Sequence, residues 1–254
     1  MADLKMATVM SLSGRIGLIT GGGTGIGFSI AKAVRCERSQ GSVVPLQMDV
    51  TSENSVKAGA QHIEGIDGKL DILVNNAGFA ASLRDPDFIA KQHAAEDPFE
   101  PETVQNWADI FALNTIAPFF VERIPALKAP SSVINISSVA AKLNTPGSFV
   151  SLAYGPTKAA LSKLTLVLGT NFAQRDIPIR VNALAPGVFA SQLVGPNLLE
   201  AIRTRPLPGM VAPIPAKRQG TEAEIGMSAV YLAVSDYTNG AILTVDGGIS
   251  LVNP

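Results

Sequence analysis

Cysteine is nearly absent: Cys36 is the only one in 254 residues. One thiol excludes a disulfide framework within the chain and fits a reducing compartment. Histidine is almost as scarce, and His62 and His93 stand at no metal-ligand spacing from each other or from Cys36. Charge is thin as well, with 16% charged residues, a net charge of −1 and Lys and Arg scattered. That excludes a basic nucleic-acid surface and a polybasic membrane patch. No apolar run nears the about 18 residues of a membrane span, and the N-terminal stretch lacks the apolar core of a secretory signal. The expectation is a cytoplasmic protein with no nucleic-acid and no membrane partner.

What the chain does have is apolar bulk. Hydrophobic residues make up 46% of it, enough for a large core, and the length suits one large α/β domain or two small ones. Short apolar runs, rich in β-branched residues, recur at residues 16–19, 43–48, 72–74, 133–136, 179–184 and 241–245. Runs of this kind read as buried parallel strands, and most gaps between them are long enough for a crossover helix. The pattern predicts an α/β fold: a Rossmann-like, doubly wound parallel sheet with helices on both faces. No linker or repeat divides it, so residues 1–254 read as a single domain. Two irregular stretches, 79–102 and 188–220, are candidates for substrate loops, since ligands in open α/β sheets bind beyond the carboxyl ends of strands.

Several motifs carry chemistry. Thr20–Gly27 reads T-G-G-G-T-G-I-G between a strand candidate and a helix-like run. Glycines there let the backbone approach a pyrophosphate, and helix N-terminal amides point at the anion. Asn75-Asn76-Ala77-Gly78 ends another strand with small and amide side chains. Ser137 and Ser138 close the run 133–136 with two hydroxyls. Tyr154 and Lys158 stand four apart at the start of a helical pattern, on one face. An ammonium beside a phenol favours phenolate and is expected to lower the tyrosine pKa from about 10. Such a tyrosine exchanges a proton with an alcohol oxygen, which a serine hydroxyl orients. Each motif alone is weak; spacings like Y-x-x-x-K arise by chance.

Taken in order, T-G-G-G-T-G-I-G, N-N-A-G, I-S-S, Y-G-P-T-K, P-G and L-T-V-D-G-G resemble the short-chain dehydrogenase/reductase family over nearly the whole chain. The resemblance implies reversible hydride transfer between NAD or NADP and a ketone, aldehyde or alcohol. It makes Tyr154 the acid/base and Lys158 the residue that lowers its pKa and grips the nicotinamide ribose. Ser138, with Ser137 as a rival, resembles the donor to the substrate carbonyl, and Asn114 the residue that holds a relay water. Gly21, Thr24, Gly25, Ile26, Gly27, Asn76, Ala77 and Gly78 match cofactor positions. So do Pro186, Gly187, Val188 and Ser191 on the nicotinamide side. A homo-oligomer, tetramer or dimer, is also implied.

The chain departs from the family at one place. Only residues 28–42 separate Gly27 from the run 43–48, where the family has a helix, a strand and a second helix. A helix of about twelve residues spans about 18 Å, enough for one crossover only. By resemblance the second strand and following helix are missing, leaving the sheet one strand short. Neighbouring strands lie about 4.8 Å apart, so the run 43–48 is expected to move in beside 16–19. Asp49 then takes the ribose; if the strand stays out, Asp49 and Val50 flank the adenine. The gap also admits a different class of function: a binding or scaffold protein of this fold with an incomplete adenosine site, or a chain that folds poorly.

Overall fold

Five of the six apolar runs form the strands of one parallel sheet. They are β1 (Gly17–Ile19), β2 (Ile72–Asn75), β3 (Ser131–Ile136), β4 (Ile179–Pro186) and β5 (Ile242–Val245), paired in that order. The structure is a computed structural model, describing residues 5–35, 41–82, 84–97, 99–122, 130–144, 150–190, 205–206 and 210–253. The helices are α1 (Met6–Val9), α2 (Gly25–Val34), α3 (Glu53–Asp67), α4 (Phe88–Ala94), α5 (Val104–Phe111), α6 (Ala117–Val121), α7 (Tyr154–Gln174), α8 (Glu222–Val234) and α9 (Ile249–Val252). None of the described helices is long and apolar enough to cross a membrane.

Strand period explains the layers. Ile72 and Val74 of β2, Ile134 and Ile136 of β3 and Leu184 of β4 face Ile30 of α2 and Ile225 and Leu232 of α8. The alternate residues Leu73, Val133 and Val181 face Val56 and Ile63 of α3, Val121 of α6 and Leu168 of α7. With both faces covered, every residue of β2 and β3 is buried, the polar Asn75, Ser131, Ser132 and Asn135 included. Each such Leu, Ile or Val contributes about 1.5–3 kcal/mol by leaving water. Helix ends follow local rules. Ser52 accepts from the Ser55 amide to start α3, Gly68 ends it with φ 67°, and Thr221 with Glu224 forms a capping box on α8.

The run 43–48 overturns its expectation. It forms no strand and does not pair with β1, so β1 is the edge of the sheet. Val43 and Val44 are exposed, at 59% and 73%, whereas Leu46, Met48 and Val50 pack with the α3 core. The reason lies in α3. Met48 Sδ lies where a Cβ on Gly59 would be 2.7 Å away, so a missing side chain seats the methionine. The Asp49 amide donates to Ser55 Oγ at 2.9 Å. The segment is therefore held by the helix that follows it. Between it and β1 lies a cavity of about 990 Å³, lined by residues 12–23, by Phe28, Ala31, Val34 and Arg35 of the α2 side, and by Leu46, Met48, Asp49 and Val50 opposite.

Candidate active site

The glycine-rich turn joins β1 to α2, and the end of β2 holds it in place. Thr20 Oγ1 accepts from the amides of Asn76 and Ala77, both at 3.0 Å. Asn76 Nδ2 donates to the carbonyls of Thr20 at 3.0 Å and Gly21 at 3.1 Å. Gly21 has φ 62°, and a Cβ there would meet Ala77 Cα at 3.0 Å. A Cβ on Gly27 would collide with the Asn76 amide and the Gly21 carbonyl. Only glycine fits either position. Thr24 is the N-cap of α2 but places no side-chain oxygen on its first-turn amides. At Gly23 the face is open, and a Cβ there would meet nothing within 4 Å. The free donors, the helix dipole and this open face suit a pyrophosphate.

The cavity beside β1 continues from this turn. Gly21, Gly22, Gly23 and Ala77 line it together with Asp49 and Val50. Asp49 Oδ1 accepts from the Thr51 amide at 2.9 Å and hydroxyl at 2.7 Å, which lowers the Asp49 pKa. Asp49 and Val50 thus share a cavity with the glycine turn without strand 43–48 moving in. The residues present fit a dinucleotide on both sides of its pyrophosphate.

The second cluster stands at the carboxyl end of β3. Ser137 is buried and committed: its hydroxyl donates to the Lys158 carbonyl at 3.1 Å and pairs with Ser162 Oγ at 2.6 Å. Ser138 is half-buried, its Oγ accepts from the Ala140 amide at 3.1 Å, and it acts on the Tyr154 phenol, lowering its pKa. The Ser137 hydroxyl is thus taken up within the fold, and the Ser138 hydroxyl is the one that reaches the tyrosine. Tyr154 opens α7, and Lys158 lies one turn on, its Nζ 5.9 Å from the tyrosine ring centre. Asn114 sits fully buried in a π-helical turn, Ala112–Ile116, between α5 and α6. Such turns displace a side chain from the regular helical register. Its amide accepts from the Phe79 amide at 2.9 Å and donates to the Phe79 carbonyl at 2.8 Å and to Thr157 Oγ1 at 3.1 Å. A Cβ on Gly78 would lie 3.0 Å from Asn114 Oδ1 and 3.4 Å from Lys158 Nζ, so all three meet.

One electrostatic expectation is corrected. Burial raises the Tyr154 pKa, and the opposing effect of Ser138 only partly offsets it. Burial also pulls Lys158 down to about 8. The Lys158 ammonium donates to the Ile136 carbonyl at 2.7 Å rather than to the phenol oxygen, so desolvation governs both groups.

Beyond β4, the Gly187 amide donates to the Val245 carbonyl at 2.9 Å, and the Gly220 amide to the Val188 carbonyl at 2.9 Å. Pro186, Gly187 and Val188 therefore sit at the same sheet edge as the serines, anchored by β5. Ser191 lies outside the described residues, as do residues 191–204 of the second irregular stretch. Two further residues shape the site. Thr20 heads the glycine motif, which is a usable signal in the sequence. Thr157 carries no such signal, because it acts through Asn114, far along the chain.

A pyrophosphate turn, a cavity beyond it, and a Ser–Tyr–Lys cluster at the sheet's carboxyl edge define a dinucleotide-dependent α/β oxidoreductase. Comparison with known proteins agrees. A sequence profile described as enoyl-(acyl carrier protein) reductase matches residues 24–250. The 5-keto-D-gluconate 5-reductase of Escherichia coli is 30% identical, with 96% of this chain and 98% of that protein covered. A rhamnolipid-biosynthesis 3-oxoacyl-[acyl-carrier-protein] reductase of Pseudomonas aeruginosa is 31% identical, covering 97% of this chain and all of that one. The solved Pseudomonas aeruginosa RhlG/NADP active-site complex superposes with a TM-score of 0.76 at 29% identity, covering 95% of this chain and 98% of that one. The chain belongs to the short-chain dehydrogenase/reductase family. It is an NAD(P)-dependent oxidoreductase that interconverts a carbonyl compound and an alcohol.

Proposed function

We propose that the enzyme reduces a ketone to a secondary alcohol, with Tyr154 as the proton donor. The relatives named above are reductases of a keto or oxo group, which supports that substrate class. When bound, the dinucleotide supplies the hydride. Ser138 hydrogen-bonds the substrate oxygen and holds it against the phenol. Tyr154 gives its proton to that oxygen during reduction and takes it back during oxidation. Lys158, charged below a pH of about 8 and tied to the Ile136 carbonyl, binds the nicotinamide ribose. Asn114 fixes the backbone at Phe79 and packs Gly78 against Lys158. The turn from Gly21 to Gly27 takes the pyrophosphate, Asn76 to Gly78 and Pro186 to Val188 line the dinucleotide, and Asp49 and Val50 meet its adenosine end.

The observation that carries this reading is the placement of Tyr154 and Lys158 one helical turn apart at the start of α7, the ammonium 5.9 Å from the tyrosine ring centre, with Ser138 acting on the phenol from the end of β3. The same reading takes residues 1–254 as one cofactor-binding domain that works as a homo-oligomer in the cytoplasm; the lone cysteine supports the compartment.

The test is Tyr154→Phe, assayed with NADH and with NADPH. Turnover should fall by about 10²–10⁴-fold, the ordinary contribution of acid–base catalysis. Cofactor affinity, followed by fluorescence titration, should stay within about threefold, because the phenol acts on the chemical step. Turnover equal to the unmodified enzyme overturns the role of Tyr154.

A further inference from the structure

Tyr154 is the first residue of the 21-residue helix α7, so wherever that helix starts, the phenol follows. The start has no cap of its own: Ala153, the N-cap, carries no side-chain acceptor. Ser151 supplies part of what is missing. Its Oγ accepts from the Ala153 amide at 3.1 Å, and its carbonyl accepts from the Tyr154 amide at 2.9 Å. The Ser151 amide in turn donates to the Ala80 carbonyl at 2.8 Å.

What holds Ser151 comes from about fifty residues earlier in the chain. Glu102 Oε1 accepts from the Leu152 amide at 2.7 Å. Its Oε2 accepts from Ser151 Oγ at 2.9 Å and from Trp107 Nε1 at 3.0 Å, with Asn106 Nδ2 at 3.5 Å. One carboxylate thereby gathers two donors from the turn before α7 and two from α5. It is not needed to start α5, because Thr103 Oγ1 already accepts from the Asn106 amide at 3.0 Å. Its negative charge also lies at the N-terminal end of α7, where the helix dipole favours an anion.

We propose that Glu102 is a positioning residue for the reaction: it caps the catalytic helix from a distance and so sets where the Tyr154 phenol stands relative to Ser138. The proposal rests on the reading of Tyr154 as acid/base, and Glu102 itself touches neither substrate nor cofactor. Releasing the Ser151–Leu152 turn lets the first turn of α7 shift. A displacement of about 1 Å at a reacting group costs up to about 10²-fold in rate. Lys158 sits a turn deeper, tied to the Ile136 carbonyl, so cofactor binding is insulated from this change.

The experiment compares Glu102→Ala, Glu102→Gln and Ser151→Ala with the unmodified enzyme, measuring kcat, KM, cofactor affinity, thermal unfolding and the ionisation of Tyr154. The last is read by ultraviolet difference absorbance against a Tyr154→Phe background, which removes the signals of Tyr231 and Tyr237. In Glu102→Ala, kcat should fall about 10–100-fold while KM and cofactor affinity stay within about threefold. Tyr154 should also ionise at a lower pH than in the unmodified enzyme, because burial is what raises it and the loosened turn admits water. Glu102→Gln should recover part of the rate: its carbonyl still accepts from Leu152, but its NH₂ group opposes a donor at Ser151 or Trp107. Ser151→Ala should resemble Glu102→Ala and carries the test if that variant does not fold. A kcat within about twofold of normal with an unmoved Tyr154 titration overturns the proposal. So does a rate loss wholly accounted for by the fraction of unfolded protein. Full activity in Tyr154→Phe would remove the catalytic reading instead, while the Tyr154 titration in Glu102→Ala still decides whether Glu102 positions the phenol.

Discussion

Glu122, at the end of α6, is buried and half satisfied. Its Oε1 accepts from Asn75 Nδ2 at 3.2 Å, and Asn75 Nδ2 also reaches Asn135 Oδ1 at 2.8 Å. Glu122 Oε2 and Asn75 Oδ1 have no hydrogen-bond partner among the described residues. Burial lifts the Glu122 pKa from 4.5 to about 7, against smaller opposing effects of Asn135 and Asn75. A raised folded-state pKa means the folded protein binds more protons than the unfolded chain between those values. The stabilisation is therefore complete below pH 4.5 and is lost as the pH rises through about 7. At about 1.4 kcal/mol per pH unit the window is worth about 3 kcal/mol. Glu122→Gln should flatten that slope and make the protein about 2–3 kcal/mol more stable than the unmodified enzyme at pH 8. Urea midpoints at pH 5 and pH 8 check this; parallel curves for the two proteins would show that Glu122 does not carry the slope. Residues whose chemistry is local were legible in the sequence. Tyr154 and Lys158 share a helix face by spacing alone, whereas Glu102 could not be found, since its partners Ser151 and Leu152 lie across the fold.

Elements were legible where their burial is local and illegible where it depends on a neighbour. The runs that became β2, β3 and β4 are rich in Ile, Leu, Val and Ala because helices cover both sheet faces. The run 43–48 is also mostly apolar, with Pro45 and Gln47 within it, but a strand needs a partner's backbone, and Met48 fits against Gly59 of α3 instead. The outcome leaves β1 with a free edge. In a parallel ladder alternate residues turn their N–H and C=O to opposite sides. Ile16 and Thr20 bond β2, through Ile72 N to Ile16 O and Thr20 N to Val74 O, both at 3.0 Å. Leu18 follows them, so Gly17 and Ile19 present their amides to the cavity. Their amide hydrogens should exchange at least about 100-fold faster than those of Leu18 and Thr20, measured by NMR in the cofactor-free protein. Equal protection would mean that a strand covers this edge in solution.

The whole molecule keeps its family's shape across gaps in its alignment. The alignment to the E. coli reductase runs to 272 positions over 96% of this chain, so it carries gaps on this chain's side. Apolar side chains stay exposed on α5 to α7: Val104, Trp107, Ile116, Phe119, Leu166 and Val167. A patch of this kind marks an association surface. Light scattering should give a dimer or tetramer, and Val167→Glu should shift it toward monomer; a monomeric unmodified protein would refute the proposed assembly.

The turn from Thr20 to Gly27 and the Tyr154–Lys158 pair can be read along the chain because each depends on residues a few positions apart, and the family can be read from the order of such motifs. So can the loss of a segment before Val43, which is a matter of counting residues between motifs. What the gap becomes is settled in three dimensions: an open cavity beside β1, with Asp49 across it, because α3 holds its neighbours more tightly than the sheet edge does. The same is true of Ser138 over Ser137, and of a tyrosine whose pKa burial raises. Those outcomes turn on which groups lie next to each other in space and on how much water they lose.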